Sequence, residues 1–412
     1  MPFAPFLNAS SMRLLWLKYG ELLPPDTGGK LRSYHLLRAL RTQLDLRMVS
    51  YVRPGVSPGY AAALADELPG ARVLEIEGIA RGILSAVFQS TVHRTPLTVS
   101  RFTSSRVRSW LEREIAGARP DLLLCDFLMP SDSLPRDLRI PTVLFQHNVE
   151  ASLWQRKAAA ATGAKAMLYR WEHRALARYE AAVLGRFDAI LSVSPDDKRQ
   201  FEAMSPGARV AVAETGVDIA AFVPPPGNVR SAVDVVFVGS MDWQPNIQGV
   251  QWFVETIWPD VVAACPDAVF HVVGRRPPAA IRRLESPQIR VTGDVASVRP
   301  HLNSAAVSVV PLLAGGGTRL KIYEAMAAGA PVLSTTVGAE GLDVVAGRDI
   351  VLADTPAMFS IALIELLRDA RRRDALSTAG LQSVAAKDWT AVARGLVAFL
   401  EDVRAQHGST RG

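Results

Sequence analysis

The sequence predicts an α/β protein built from two doubly wound parallel sheets, and three observations support this prediction. Short apolar runs alternate with stretches of helical apolar spacing along most of the 412 residues. That pattern is typical of parallel sheets whose strands are joined by helices. A chain of this length exceeds one ordinary domain and suits two. A proline-rich break at residues 224–227 separates two such series of runs, as a linker does.

The order of the runs defines the predicted elements. The first half begins with an apolar run at 12–19, a loop at 22–30 and a helix-patterned segment at 31–44. Its further strands are predicted at 47–52, 71–76, 122–126, 142–145 and 189–193. Strands of the second half are predicted at 235–239, 268–274, 289–292, 306–313, 331–335 and 349–352. The predicted domains are residues 1–225 and 226–388, followed by a C-terminal helix and tail at 389–412.

Composition limits the class of protein. Apolar residues make up 49% of the chain and charged residues 21%, which indicates a globular rather than a disordered chain. The two cysteines, Cys125 and Cys265, are far apart in sequence, so we expect neither a disulfide framework nor a cysteine zinc site. The N-terminus shows no signal-peptide pattern, and no run reaches about 18 apolar residues. We therefore expect a cytoplasmic protein.

The basic excess lies in the first half of the chain. Residues 1–230 hold 29 Lys and Arg against 22 Asp and Glu, whereas the remainder holds 17 against 18. This excess fits either an electrostatic footprint for anionic lipid at the inner face of the cell membrane, or a solvated arginine-rich surface. Residues 151–187 mix basic side chains with tryptophans, and we favour a helix packed on its own sheet over a membrane contact there. No pattern indicates nucleic-acid binding.

The most specific motif follows the run at 306–313. A glycine turn leads there into a helix-patterned segment, and such a turn presents N–H groups and the positive end of the helix dipole to an anion. Arg319 and Lys321 add cations, and Glu324 lies about 9 Å beyond the turn along the helix. This spacing suits a ligand with a phosphate at one end and a ribose diol at the other. The turn consists of Gly315, Gly316, Gly317 and Thr318.

The string GGGTRLKIYEAMAAGAPV, which begins at Gly315, resembles the donor-binding signature of the retaining glycosyltransferases of family 4. It is similar to the version found in exopolysaccharide-associated sugar transferases. The resemblance implies the GT-B fold, in which two Rossmann-like domains face a cleft and the last helix crosses back to the first domain. It also implies that the glycine turn and Lys321 hold the donor diphosphate, while Glu324 holds the ribose. Gly316 stands where the family commonly has a first glutamate that contacts the donor sugar.

The first half contributes further candidates. Gly28 and Gly29 lie in the loop before the first helix, where the backbone can approach a ligand, and Lys30 adds a charge. By the resemblance, His147 at a strand end hydrogen-bonds the donor sugar, through its side chain or its backbone carbonyl. Glu150 is a candidate to orient His147, to act on the acceptor hydroxyl, or to stabilise the N-terminus of the following helix.

The second half contributes the remaining candidates. Gly239 and Ser240 follow a strand and would let the backbone approach the diphosphate. They begin the string GSMDWQPN, which has no cation before Arg275, so Arg319 and Lys321 are expected to neutralise the phosphates. Arg275 and Gly293 are candidates for base contacts.

The predicted activity is transfer of a sugar from a UDP- or GDP-sugar to a glycan, lipid-linked or small-molecule acceptor, with retention at the anomeric carbon. His147, Arg319 and Lys321 are the predicted catalytic group. We expect no cofactor and no metal, since no Asp-x-Asp motif follows a strand. Two alternatives stay open: a nucleotide-sugar epimerase of the same architecture, and a non-catalytic nucleotide-sugar-binding protein, which the glycine at position 316 would suit.

Overall fold

The computed structural model describes residues 12–56, 59–77, 95–314 and 319–409. These residues form two compact units. The first comprises the chain up to Glu214 together with residues from Thr390 onward, and the second comprises Thr215–Trp389.

The first unit contains a seven-stranded sheet in the order β3-β2-β1-β4-β5-β6-β7. Every adjacent pair is parallel. The strands are β1 Arg13–Tyr19, β2 Asp45–Val52, β3 Arg72–Glu75, β4 Leu122–Asp126, β5 Thr142–Phe145, β6 Ala189–Ser192 and β7 Val210–Val212. The helices are α1 Gly28–Leu40, α2 Tyr60–Glu67, α3 Leu97–Ser100, α4 Ser105–Ala118, α5 Glu150–Ala160, α6 Gly163–Leu184 and α7 Pro195–Met204, with a 3-10 helix at Met129–Ser133.

The second unit contains a six-stranded parallel sheet in the order β10-β9-β8-β11-β12-β13. The strands are β8 Asp234–Val238, β9 Val269–Val273, β10 Ile289–Thr292, β11 Val307–Val310, β12 Val332–Ser334 and β13 Val351–Leu352. The helices are α8 Ile219–Phe222, α9 Gln244–Thr256, α10 Trp258–Ala264, α11 Ala279–Arg282, α12 Arg299–Ser304, α13 Leu320–Ala327, α14 Pro356–Arg368 and α15 Ala370–Val384. Two 3-10 helices lie at Val337–Ala339 and Ala385–Lys387.

The last helix, α16 Trp389–Ser409, packs on the first unit, as the family resemblance predicts. Arg209 beside β7 forms an ion pair with Asp402 and lies 5.0 Å from the centre of the Phe399 ring. Nδ1 of His407 lies 2.8 Å from Oδ1 of Asp188. These contacts return the C-terminus to the edge of the first sheet. Among the described residues, no helix combines the length and apolar content needed to cross a bilayer.

The central strands of both sheets are buried on their two faces, because helices cover each side of a doubly wound sheet. In the first unit, β1, β4 and β5 carry side chains such as Leu17, Cys125 and Leu144 that are inaccessible to solvent. In the second, Phe237, Phe253 and Phe270 belong to one hydrophobic cluster, in which the rings of Phe253 and Phe270 are in contact. Because these strands are apolar along most of their length, they could be predicted from apolar runs in the sequence.

In both sheets the strand order reverses at an equivalent place. The first strand of each unit lies between its second and fourth strands in sequence order, so the connections leave to opposite sides there. Ligands of open α/β sheets bind outside the carboxyl ends of the strands at such a switch point. It lies between β1 and β4 in the first unit and between β8 and β11 in the second.

Candidate functional site

A buried network of charged side chains occupies the switch point of the first unit. Asp126 is the last residue of β4 and is inaccessible to solvent. Its Oδ2 accepts hydrogen bonds from Nζ of Lys18 at 2.9 Å and from Oγ of Ser33 at 2.8 Å. The Nε1–H of Trp16 also donates to Oδ2 at 3.1 Å. One carboxylate therefore ties the carboxyl ends of β1 and β4 to helix α1.

His147 completes this network from the loop after β5. Its Nε2 lies 2.7 Å from Oδ1 of Asp126, and NH1 of Arg32 lies 2.8 Å from its Nδ1. Arginine only donates, so Nδ1 accepts and Nε2 carries the proton that is donated to Asp126. Burial lowers the pKa of His147 to about 4, and the positive charges of Arg32 and Lys18 act in the same direction. The imidazole is therefore neutral at pH 7.

Asp126 and Arg32, by contrast, stay charged. Burial alone would raise the pKa of Asp126, but the charge of Lys18 and the hydrogen bonds from His147 and Lys18 hold it well below its usual range. Burial lowers the pKa of Arg32 to about 10, which still leaves the guanidinium protonated at pH 7. In this arrangement both ring nitrogens of His147 are occupied, so any contact of His147 with a sugar uses its backbone. Of the two predicted contacts with the donor sugar, this arrangement leaves the one through the backbone carbonyl of His147.

Gly28 and Gly29 begin helix α1, and their surroundings differ. A Cβ atom on Gly28 would meet no heavy atom within 4 Å, whereas one on Gly29 would lie 2.6 Å from Cζ of Phe127. That ring is held in place, since it stacks on His147 at 4.0 Å between ring centres and lies 4.7 Å from Nζ of Lys18. Gly28 thus has open space in front of it, while Gly29 is required by packing. Lys30 pairs with Asp26 at 3.2 Å.

Glu150 lies at the first turn of α5 and does not orient His147, which is held by Asp126 and Arg32. The capping carboxylate is Glu180 of α6, which accepts the N–H groups of Glu150 and Ala151, each at 3.0 Å. Glu150 itself is 6% exposed. Burial, reinforced by the charge of Glu180, raises the pKa of Glu150 to about 7. Glu150 lies in the first turn of α5, so its predicted roles at the helix N-terminus and on an acceptor hydroxyl both stay predictions.

Close backbone packing defines the switch point of the second unit. Gly239 follows β8, and Gly274 follows β9. A Cβ atom on Gly274 would lie 1.8 Å from the carbonyl oxygen of Gly239, and one on Gly239 would lie 2.8 Å from Nζ of Lys321. Neither position tolerates a side chain without moving the site. The glycine after β8 therefore lets the lysine of α13 lie directly beside the strand end.

Lys321 is held in place by an asparagine from the opposite side of this switch point. Its Nζ donates to Oδ1 of Asn246 at 2.8 Å, and Nδ2 of Asn246 donates to the carbonyl of Ser240 at 2.7 Å. The ammonium also lies 4.4 Å from the centre of the Phe237 ring. Asn246 is the last residue of the GSMDWQPN string. The string thus supplies no phosphate-binding cation of its own and instead positions the cation of α13.

Lys321 and Glu324 form a coupled pair on one face of α13. Both residues are partly accessible at the surface, yet protein atoms surround each ionised group closely enough for burial to be the main influence on its pKa. Burial lowers the pKa of Lys321 to about 7; the charge of Arg319 lowers it further and that of Glu324 opposes the shift. Burial likewise raises the pKa of Glu324 to about 7, against the charge of Lys321. An anion placed beside Lys321 would restore its positive charge.

Arg319 is less accessible than its predicted role requires. It is 3% exposed, and its NH2 donates to the carbonyl of Val337 at 3.3 Å. Its guanidinium lies 6.0 Å from the centre of the Trp243 ring. Burial lowers its pKa, and the charge of Glu340 opposes this effect. Arg319 therefore acts on the site in two ways, by fixing the start of α13 and by its charge on Lys321.

The base-pocket candidates lie at the same edge of the sheet as Lys321. Nε of Arg275 donates to Oγ of Ser240 at 2.9 Å, and Oγ of Ser240 donates to Oδ1 of Asp242 at 2.5 Å. Gly293 follows β10, and a Cβ atom there would meet nothing within 4 Å. Ser240 and Arg275 are thus joined, while Gly293 borders open space.

Part of the predicted site lies outside the described residues: Gly315, Gly316, Gly317 and Thr318. Sequence reasoning missed the buried partners Lys18, Asp126, Glu180 and Asn246. Within the described ranges, no three His, Cys, Asp or Glu side chains are grouped closely enough to share a metal ion.

Comparisons with known proteins agree with this architecture. Residues 32–221 match the family model described as Glycosyltransferase Family 4, and residues 232–369 match the model described as Glycosyl transferases group 1. A phosphatidyl-myo-inositol mannosyltransferase of Mycolicibacterium smegmatis is 28% identical over 236 residues, or 55% of this chain. The match covers only 59% of that relative's length.

Solved structures show the same fold. The sucrose-phosphate synthase of Thermosynechococcus elongatus superposes with a TM-score of 0.68 at 16% identity, over 96% of this chain and 100% of that one. HepE of Anabaena, solved with UDP, superposes with a TM-score of 0.66 at 14% identity, over 95% and 100% of the two chains. The predicted GT-B fold is therefore confirmed. Two glycosyltransferase family models thus match the two halves of the chain in sequence, and the structure has the GT-B fold.

Proposed function

We propose that the protein transfers a sugar from a nucleotide-sugar donor, and that the second unit binds the nucleotide. The observation that carries this proposal is the Lys321–Asn246 contact at the β8/β11 switch point. A lysine whose ammonium is largely desolvated binds a phosphate more strongly than an exposed one, because the surroundings screen the attraction less. Open space beside Gly293 and the paired Ser240 and Arg275 continue the same edge of the sheet.

The proposed nucleotide lies along α13. Lys321 contacts the diphosphate beside the N-terminus of α13, where the helix dipole favours an anion. Glu324, one turn further on, accepts hydrogen bonds from the ribose hydroxyls, and it does so most strongly as an ionised carboxylate, whose two oxygens only accept. Support comes from HepE, a structural relative solved with UDP. We expect the nucleotide to be UDP or GDP.

We further propose that transfer proceeds with retention and without a metal ion. In a front-face reaction, the bond between the anomeric carbon and the diphosphate oxygen breaks while the acceptor oxygen bonds to the same face. The acceptor proton passes to the leaving diphosphate, whose developing charge Lys321 stabilises. The backbone at His147, held by the buried Asp126 network, is the proposed contact to the donor sugar. The acceptor is a glycan, a lipid-linked sugar or a small molecule.

Calorimetric titration with UDP and GDP tests the nucleotide site. We expect one of the two to bind in a 1:1 complex. The Lys321→Met variant should weaken binding about ten- to hundredfold, the range expected for a lost hydrogen bond to a charged group. Arg283→Met, an exposed cation of the same unit, is the matched control and should bind as the unaltered protein does. Equal affinity in Lys321→Met would contradict the assignment.

A second assay separates an enzyme from a non-catalytic binding protein. The protein is incubated with the UDP- or GDP-sugar of the nucleotide that binds, with and without acceptors, and release of the nucleoside diphosphate is measured. Release that requires Lys321 supports a transferase. Binding without release across a panel of acceptors would identify a sugar-nucleotide binding protein, and donor isomerisation without an acceptor would identify an epimerase.

A further inference from the structure

Helix α6 presents an apolar and basic face to solvent. Met167, Trp171, Arg174 and Arg178 follow i, i+4, i+7 and i+11 spacing, which places them on one side of the helix. Met167 is 67% exposed and Trp171 is 41% exposed. The three following cations, Arg170, Arg174 and Arg178, are all exposed. We call these five residues the outer face of α6.

The charges of α6 are sorted by side. Both of its carboxylates point inward: Glu172 is 1% exposed and accepts the N–H groups of Leu97 and Thr98, and Glu180 is inaccessible and caps α5. The outer face therefore carries positive charge alone. Among the described residues, no carboxylate lies within ion-pair distance of its three arginines.

The neighbouring helix adds to the same positive region. Trp154 of α5 packs edge-on against Tyr169 of α6, with ring centres 5.3 Å apart. Lys157 lies over the Trp154 ring at 4.6 Å, and Lys165 lies over the Tyr169 ring at 5.6 Å. Both lysines are exposed. Trp154 and Tyr169 are thus packed within the protein, as the sequence analysis favoured for this region. Met167 and Trp171, by contrast, are exposed to solvent.

The side chains of the outer face indicate which kind of partner binds there. Large apolar side chains beside unpaired arginines match an interface with an apolar interior and an anionic surface layer. A second copy of this chain fits poorly, because a symmetric contact would bring the same arginines together. We propose that the outer face of α6 docks on an anionic membrane surface, with Met167 and Trp171 inserted and the arginines at the headgroups. This contact is independent of the nucleotide site.

Vesicle co-sedimentation of the full chain tests this proposal. Vesicles of phosphatidylcholine mixed with phosphatidylglycerol should bind the protein, and vesicles of phosphatidylcholine alone should bind it weakly. Added salt should release it, because exposed charges are screened over about 8 to 10 Å at physiological ionic strength. Binding that ignores both lipid charge and salt would overturn the proposal, as would absence of binding.

Two double variants with matched controls locate the contact. Arg174→Glu with Arg178→Glu should weaken binding at least about 25-fold, since each arginine near an anionic surface contributes roughly a fivefold factor. Met167→Ser with Trp171→Ser should weaken it about tenfold or more through lost apolar insertion. The controls are Arg283→Glu with Arg371→Glu, and Met358→Ser with Ile361→Ser. They change exposed residues of the second unit and should bind as the unaltered protein does.

Further measurements exclude the other occupants of this face. All variants should unfold at the same temperature and bind the nucleotide as before, because the changed side chains are exposed and lie outside the candidate site. Gel filtration should give the same size for each of them. A dimer that the outer-face variants dissolve, or equal loss of vesicle binding in the controls, would overturn the membrane assignment.

Discussion

Removal of the Glu324 carboxylate should turn donor binding into a simple titration of Lys321. Lys321 and Glu324 both have a pKa of about 7, and they act in opposite senses. Binding of the diphosphate requires the lysine to be charged, so it weakens as pH rises. The ionised carboxylate accepts hydrogen bonds from the ribose hydroxyls more strongly than the protonated carboxyl does, so this contact weakens as pH falls. The unaltered protein should therefore bind its donor most tightly near pH 7.

The Glu324→Gln variant isolates the lysine. Loss of the neighbouring negative charge lowers the pKa of Lys321 below about 7, since that charge opposes the effect of burial. Above the new pKa, the charged fraction of the lysine falls about tenfold per pH unit, and the apparent affinity falls with it. The donor should be a nucleotide sugar rather than a free nucleotide, because its diphosphate diester does not titrate in this range.

Calorimetry at about pH 6 to 9 measures this effect. In Glu324→Gln the affinity should decrease monotonically, whereas in Lys321→Met the weaker residual affinity should rise with pH as Glu324 ionises. Glu285→Gln removes an exposed carboxylate of the same unit and should keep the profile of the unaltered protein. An affinity that is independent of pH in Glu324→Gln would refute the role assigned to Lys321.

Three further predictions concern the first unit, each measured as the free energy of unfolding in urea. Gly29→Ala should lower it by about 1–3 kcal/mol through overpacking against Phe127, whereas Gly28→Ala, which faces open space, should leave it unchanged or raise it. Glu150→Gln should raise the free energy of unfolding by about 1–3 kcal/mol near pH 8 and much less near pH 4. Burial raises the pKa of Glu150 in the folded protein to about 7, so the buried carboxylate destabilises the fold more as pH rises above its pKa in the unfolded chain. Asp126→Asn should lower the free energy of unfolding by about 3–5 kcal/mol, since it leaves buried cations unpaired. No loss in Gly29→Ala, no pH dependence in Glu150→Gln, or a loss below about 1 kcal/mol in Asp126→Asn would contradict the respective packing, burial and network arguments.

The strands were predictable because both sheets are covered on their two faces. Each predicted apolar run contains a strand, since a parallel strand buried on both sides is apolar along most of its length. Strand β7, a three-residue strand at the sheet edge, was not predicted. The single helical region predicted at 151–187 is two helices, divided where Gly163 adopts a φ of 60°.

The site was predictable where a motif is continuous in sequence. Lys321 and Glu324 lie in one helical stretch, so their spacing alone places them on one side of it. The partner of Lys321 is Asn246, 75 residues earlier, and only the packing of β8 beside β11 brings them together. Their contact depends on the fold and not on a local pattern.

The buried charge network around Asp126 is indicated in the sequence by charged residues within apolar runs. Lys18 interrupts the apolar run of β1, and Asp126 ends the apolar run of β4. A charged residue inside an otherwise buried strand needs a partner of opposite charge. Because β1 and β4 are neighbours at the switch point, these two residues are the natural pair, and the role assigned to His147 follows from them.

Titration of UDP and GDP into the unaltered protein and into Lys321→Met is the decisive test of the nucleotide site. We expect a 1:1 complex with one of the two nucleotides and a loss of about ten- to hundredfold in affinity in the variant. Absence of binding by both nucleotides, or the same affinity in the variant, would contradict this expectation.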